Sequence, residues 1–330
     1  MILQDQQETF DLFMDSDTII EQGKEYHQQG LLQKAESIYM NLAELEPLNA
    51  EVHYLLGMTA LQQNDLMKAE GYFQKSLSIA PDNAQCTAMM GLVVYAQNDT
   101  QQAEMIFRKA LRIDPRCFQA HMSLGSLLVH EKRYQEALWP LEQAVLIKQE
   151  HPRAFALLAK ASLYAGQDEQ ADEFVKAATN LGPQDEETLT NICDVFRGLN
   201  KFWQAIPWAY RLVDDHPDND NYRAILANAY LGAGVANKGL DEARIAMKLA
   251  PDNVEYIQLY AHCLIHRGLW DEALEAIETA ISKDPANESV MAQKAGILER
   301  KGYDQESYSI VRSLIAGKKT LYLQPIHILS

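Results

Sequence analysis

The most chemically suggestive stretch of the chain is His262-Cys263-Leu264-Ile265-His266. Two histidines four residues apart share one face of a helix, where a pair of imidazoles can hold a metal ion. No third ligand accompanies them in the sequence, so the pair reads as polar lining of a groove and no metal is expected. The cysteines Cys86, Cys117, Cys193 and Cys263 form no CxxC pair. Neither a disulfide nor a zinc site is expected, which fits a reducing compartment. No phosphate-cradling glycine loop, HExxH helix or nucleophile elbow occurs. The expectation is a chain with no catalytic residues and no cofactor.

The elements that carry these residues are punctuated by proline. Pro47, Pro81 and Pro115 are followed, after one double gap, by Pro183, Pro217, Pro251 and Pro285, so the period is 34 residues. Proline ends a helix because it lacks the N–H that a helix interior needs. Asn49, Asn83, Asp185, Asn219, Asn253 and Asn287 stand two residues after a proline. Their side chains suit the start of the next helix, where they accept from its free N–H groups. With each proline at position 32, repeats begin at Ser16, Ala50, Ala84, Phe118, Pro152, Glu186, Asp220 and Val254, and a degraded ninth begins at Glu288. Position 8 is always small (Gly23, Gly57, Gly91, Gly125, Ala159, Cys193, Ala227, Ala261, Ala295), as two closely approaching helices require. Position 20 is small as well, with Ala35, Ala69, Ala103, Ala137, Ala171, Ala205, Gly239 and Ala273. Position 15 is Gly or Asn except at Lys132, and those residues tolerate the left-handed turn that ends a helix. A fixed period of this length is the mark of a repeat architecture.

In period, small-residue columns and closing proline the chain resembles the tetratricopeptide repeat. The resemblance implies an all-α fold, a right-handed superhelical solenoid of helix-turn-helix repeats. The expected layout is an acidic leader over 1–15, eight repeats over 16–287, a degraded ninth repeat or cap over 288–316, and an apolar tail over 317–330. The leader, with Phe10, Phe13 and Met14, is expected to cover the apolar edge of the first repeat. Pro140 and Pro207 fall inside second helices and are expected to bend them. The four tryptophans lie near the starts of second helices and are expected to pack in the core or on the convex surface.

A formal net charge of −17 argues against nucleic acid, whose phosphates need a basic face, and against anionic membrane surfaces. No apolar run reaches the roughly 20 residues of a membrane helix. The leader carries no Lys or Arg, the reverse of a signal peptide, so a cytoplasmic location is expected.

The resemblance further implies that binding lies in the concave groove, at first-helix positions 2, 5, 6, 9, 12 and 13. In the early repeats these supply Tyr54, Met58, Leu61, Leu92, Tyr95, Met122 and Val129, a Met-rich apolar stretch suited to varied apolar partners. The later repeats supply Lys160, Tyr164, Asn191, Asp194, Arg197, Asn228, His262 and His266. The carboxylate clamp of chaperone-binding members is absent, because Ala156 and Ile225 stand at two of its polar positions. The expected function is a non-catalytic protein-interaction scaffold or adaptor holding a peptide segment of a partner protein. The alternatives are a scaffold that self-assembles into a homo-oligomer through its terminal repeats, or a non-catalytic arm of a separate enzyme complex.

Overall fold

A computed structural model describes residues 15–317. Residues 1–14 and 318–330 lie outside it, and with them the covering role expected of the leader and nearly all of the tail. The chain divides into two compact units between Ala165 and Gly166. The first unit holds α1 (Ser16–Gln28), α2 (Leu32–Leu45), α3 (Ala50–Gln62), α4 (Leu66–Ile79), α5 (Ala84–Ala96), α6 (Thr100–Ile113), α7 (Phe118–His130), α8 (Tyr134–Ile147) and α9 (Pro152–Tyr164). The second holds α10 (Asp168–Asn180), α11 (Glu186–Gly198), α12 (Phe202–Asp215), α13 (Asp220–Gly232), α14 (Ala236–Leu249), α15 (Val254–His266), α16 (Trp270–Lys283), α17 (Glu288–Arg300) and α18 (Asp304–Gly317).

Odd-numbered helices start 34 residues apart throughout, from Ser16 to Glu288, and so do even-numbered ones, from Leu32 to Asp304. No residue is inserted or lost against the register. In the first unit α1 packs on α2, α3 on α4, α5 on α6 and α7 on α8, and each second helix also packs on the next first helix. The second unit repeats this from α11 to α18. Each unit is a stack of helical hairpins, an α-α solenoid.

Capping fixes where the helices begin. Asn83 accepts from the Cys86 N–H at 2.9 Å and Asp185 from the Thr188 N–H at 2.9 Å; Asn49, Asn219, Asn253 and Asn287 do the same for their helices. In place of the missing asparagine, His151 caps α9 through Nδ1. The proline carbonyls are used too. His53 Nε2 meets the Pro47 carbonyl at 2.9 Å, His121 Nε2 that of Pro115 at 2.9 Å, and Arg223 donates to that of Pro217 at 2.9 Å. Burial holds the His121 imidazole below its ordinary range, so it stays neutral and structural. Pro140 and Pro207 sit within α8 and α12, which run unbroken through them.

Every position 15 residue has a positive φ, from Asn200 at 57° to Gly302 at 82°. Lys132 is held there at 61°, against the preference of a side chain with no short polar group to steady it. Beside it Arg133 ties the turn to Glu104 at 2.6 Å and to Glu136 at 2.7 Å.

Position 8 of the first helix lies against position 24 of the second. A Cβ at Gly57 would come within 2.6 Å of the Phe73 ring, and one at Gly91 within 2.6 Å of the Phe107 ring. Glycine stands opposite Tyr39, Phe73, Phe107 and Leu141 in the first unit, whereas in the second Cys193, Ala227 and Ala261 stand with Ala209, Ala243 and Ile277. Phe73 and Phe107 have no exposed surface. All four cysteines are free and buried, and burial pushes the Cys193 and Cys263 thiols up to about 12, so they act as small apolar side chains.

Two outcomes follow from this packing. Gly57→Ala should lower stability by about 1–3 kcal/mol in urea melts, and Phe73→Leu in the same chain should restore part of the loss. Lys132→Asn should raise stability by about 0.5–1 kcal/mol, because asparagine adopts the left-handed turn with less strain. A neutral or destabilising Lys132→Asn would contradict the strain argument.

Candidate functional site

Cavities open on the odd-numbered helices within each unit, one described in the first and two in the second. In the first unit a cavity of about 220 Å³ is lined by Leu92 and Tyr95 of α5, Phe118 and Met122 of α7, and Arg153 of α9, among others. Most of its wall comes from positions 1, 2, 5, 6, 9 and 12 of successive first helices. Next to it, Tyr54, Met58, Leu61 and Leu92 are half-buried against the core formed by Ala60, Phe73 and Val93. The Tyr54 hydroxyl accepts from the Gln85 amide at 2.9 Å, which links one first helix to the next.

Not every expected groove residue is open. Met122 and Val129 are each only 7% exposed, and Asn191 only 6%. Met122 gives the first-unit cavity an apolar floor, whereas Val129 and Asn191 pack inside their units. Tyr164 is exposed, with its ring stacked on Tyr134 at 4.7 Å between centroids. Lys160 is half-buried, and Arg197 is ion-paired with Asp194. None of these four lines a cavity described here.

In the second unit a cavity of about 320 Å³ is lined by Asn221, Ile225 and Asn228 of α13, Gln258 and His262 of α15, and Gln293 of α17, among others. The exposed Asn228 amide donates back to the Ala224 carbonyl at 2.9 Å and keeps its oxygen for other donors. A neighbouring cavity of about 520 Å³ is lined by His262, Ile265, His266, Trp270, Gln293, Gly296, Ile297 and Arg300. His262 and Gln293 belong to both. The Gln293 amide nitrogen lies 2.6 Å from His262 Nε2, and it donates to a neutral ring. Burial, then the adjacent His266, holds the His262 imidazole below its ordinary range, consistent with that role. Gln293 Oε1 is buried with no hydrogen-bond partner.

Among the described residues no cluster of three His, Cys, Asp or Glu side chains could hold a metal ion, and His262 and His266 have no third ligand. Among the described residues no helix is long and apolar enough to cross a membrane. Trp270 packs against the core of the second unit, as expected, and also lines a cavity, while Trp139 and Trp203 are 56% and 67% exposed. Arg153, Gln293 and Arg300 were missed in the sequence. The signal was present, since they occupy positions 2, 6 and 13 of their copies, the same columns as the expected groove residues.

Residues 48–116 and 88–155 match models of the tetratricopeptide repeat, and residues 199–280 match a model of the anaphase-promoting complex, cyclosome, subunit 3. No curated protein sequence matches the chain. Among solved structures it is similar to a chain of the Cut9–Hcn1 hetero-tetramer of the APC/C, with 16% identity and a TM-score of 0.63 over 87% of this chain and 55% of that one. The present chain thus spans about half the length of that relative. It is also similar to PilF of Pseudomonas aeruginosa, at 22% identity, TM-score 0.54, over 63% of this chain and 94% of that one. A tetratricopeptide repeat protein of Parabacteroides merdae is similar at 12% identity, TM-score 0.51, over 76% of this chain and 98% of that one. Such identities show a shared fold. With all its described helices on one 34-residue register and these matches to repeat models and structures, the chain is a tetratricopeptide-repeat protein.

Proposed function

We propose that the chain is a non-catalytic scaffold that binds an extended or helical peptide segment of a partner protein along the face of its odd-numbered helices. The observation that carries this reading is the placement of the cavities. All three are lined chiefly by first-helix side chains at positions 2, 5, 6, 9, 12 and 13, so a ligand lying across successive helices meets the same positions in turn. The chemistry differs between the units. Leu92, Tyr95, Phe118 and Met122 offer apolar anchorage in the first, while Asn221, Asn228, Gln258 and His262 offer hydrogen bonds in the second. Buried apolar anchors usually dominate such binding, and polar contacts add register and selectivity.

A second reading is favoured by the match of residues 199–280 to a subunit of the anaphase-promoting complex. The chain would then be a structural arm of a larger enzyme assembly, with catalysis on another chain. The two readings agree on a protein partner and differ in whether that partner is a segment or a folded subunit.

A partner captured from native cell extract should bind Tyr95→Glu and Met58→Glu chains more weakly by about 2 kcal/mol or more, because each charge desolvates poorly at an apolar anchor. Asn228→Ala should cost less and relax selectivity. Circular dichroism checks that the variants fold. Wild-type affinity in both folded Glu variants would move binding off this face.

A further inference from the structure

The cavity beside Trp270 sets two histidines and an arginine against an apolar wall. The chain carries a formal net charge of −17, yet among the described residues no Asp or Glu lines this space, as none lines the first-unit cavity with its His151 and Arg153. Its polar wall is made of His262, His266, Gln293, Arg300 and the Trp270 indole, all but the Gln293 oxygen able to donate. Among the described residues Arg300 finds no ion-pair partner and His266 no hydrogen-bond partner; both are exposed side chains at position 13 of consecutive first helices. Ile265, Ile297 and the face of Trp270 make the apolar wall. Gly296 stands at position 9, where the other first helices carry a side chain, and a Cβ there would meet nothing within 4 Å. The missing side chain opens the space. At its junction with the neighbouring cavity the buried Gln293 Oε1 lacks a donor, which a peptide N–H would supply.

Resting on the peptide-scaffold reading, we propose that this cavity selects a partner segment by an oxyanion-bearing side chain set beside an aromatic or aliphatic one. The oxyanion sits between Arg300 and His266, where a guanidinium gives a paired, charge-assisted contact. The flanking apolar side chain lies on Trp270, Ile265 and Ile297, and a main-chain N–H of the segment donates to Gln293. In so acidic a protein, long-range repulsion disfavours acidic ligands in general, and a local donor set of this kind offsets it.

The test is selection of phage-displayed random dodecapeptides on the full chain, followed by fluorescence anisotropy of a selected peptide. The expected consensus places Asp or Glu within two residues of Phe, Leu or Trp. Arg300→Ala should weaken the peptide by about tenfold or more, and His266→Ala by less. Both side chains are exposed, so both variants should melt like the parent. Replacing the peptide's acid by its amide should cause the same loss, and combining it with Arg300→Ala should add little, as expected of a direct pair. Phosphoserine in place of the acid separates the two sources of an oxyanion. Tighter binding assigns the site to phosphorylated segments, and weaker binding assigns it to carboxylates. Peptides that lack an acid, or that bind the Arg300→Ala chain within about twofold of the parent, would overturn the inference while leaving the scaffold reading intact. A selection that returned no peptide would overturn both.

Discussion

The structure depends on how closely the two helices of a hairpin approach at one point. Where position 8 is glycine, the second helix fills the gap with Tyr39, Phe73, Phe107 or Leu141; where it is cysteine or alanine in the second unit, the opposing residue is Ala209, Ala243 or Ile277. The glycine makes room for a large side chain at the closest point of the hairpin, as a close-packed interior requires. One well-made contact per hairpin then sets the angle at which the next hairpin stacks. Because every copy solves the same problem within one fixed length, the first-helix side chains recur at fixed positions along each unit. The candidate binding face is a consequence of that regularity.

Turns and caps serve the same end. Nine left-handed residues at position 15 and side-chain caps at most first helices stop each helix at the same residue in every copy. The carbonyls of Pro47, Pro115 and Pro217, which would otherwise lack partners near the helix ends, are met by His53, His121 and Arg223. These histidines and this arginine are therefore spent on structure, which leaves His262 and His266 as the histidines that face a cavity in the second unit.

The fold was almost fully legible in the sequence, because its determinants are local and repeated. Proline, the asparagine after it, the left-handed residue and the small columns each act within a few residues, so 34-residue spacing reveals them directly. The face was legible by position and less so by exposure. Met122, Val129 and Asn191 occupy the expected columns yet are buried, since burial depends on how far the neighbouring helix leans over, a property of packing that no single column states. The pairing of positions 8 and 24 is a relation between two residues 16 apart, visible once their contact is known. The cavity beside Trp270 was hidden for another reason: it arises from Gly296 removing a side chain in the ninth copy, where the repeat pattern is weakest.

The central claim is that a partner lies along the odd-numbered helices and off the even-numbered ones. Site-specific photo-crosslinking tests it most directly. A benzophenone amino acid replaces Tyr95 or Asn228 on the odd-numbered helices, and Met105 or Trp203, exposed on α6 and α12, on the even-numbered ones. The account predicts partner crosslinks from the first pair and none from the second. Crosslinks from Met105 and Trp203 with none from Tyr95 and Asn228 would contradict it.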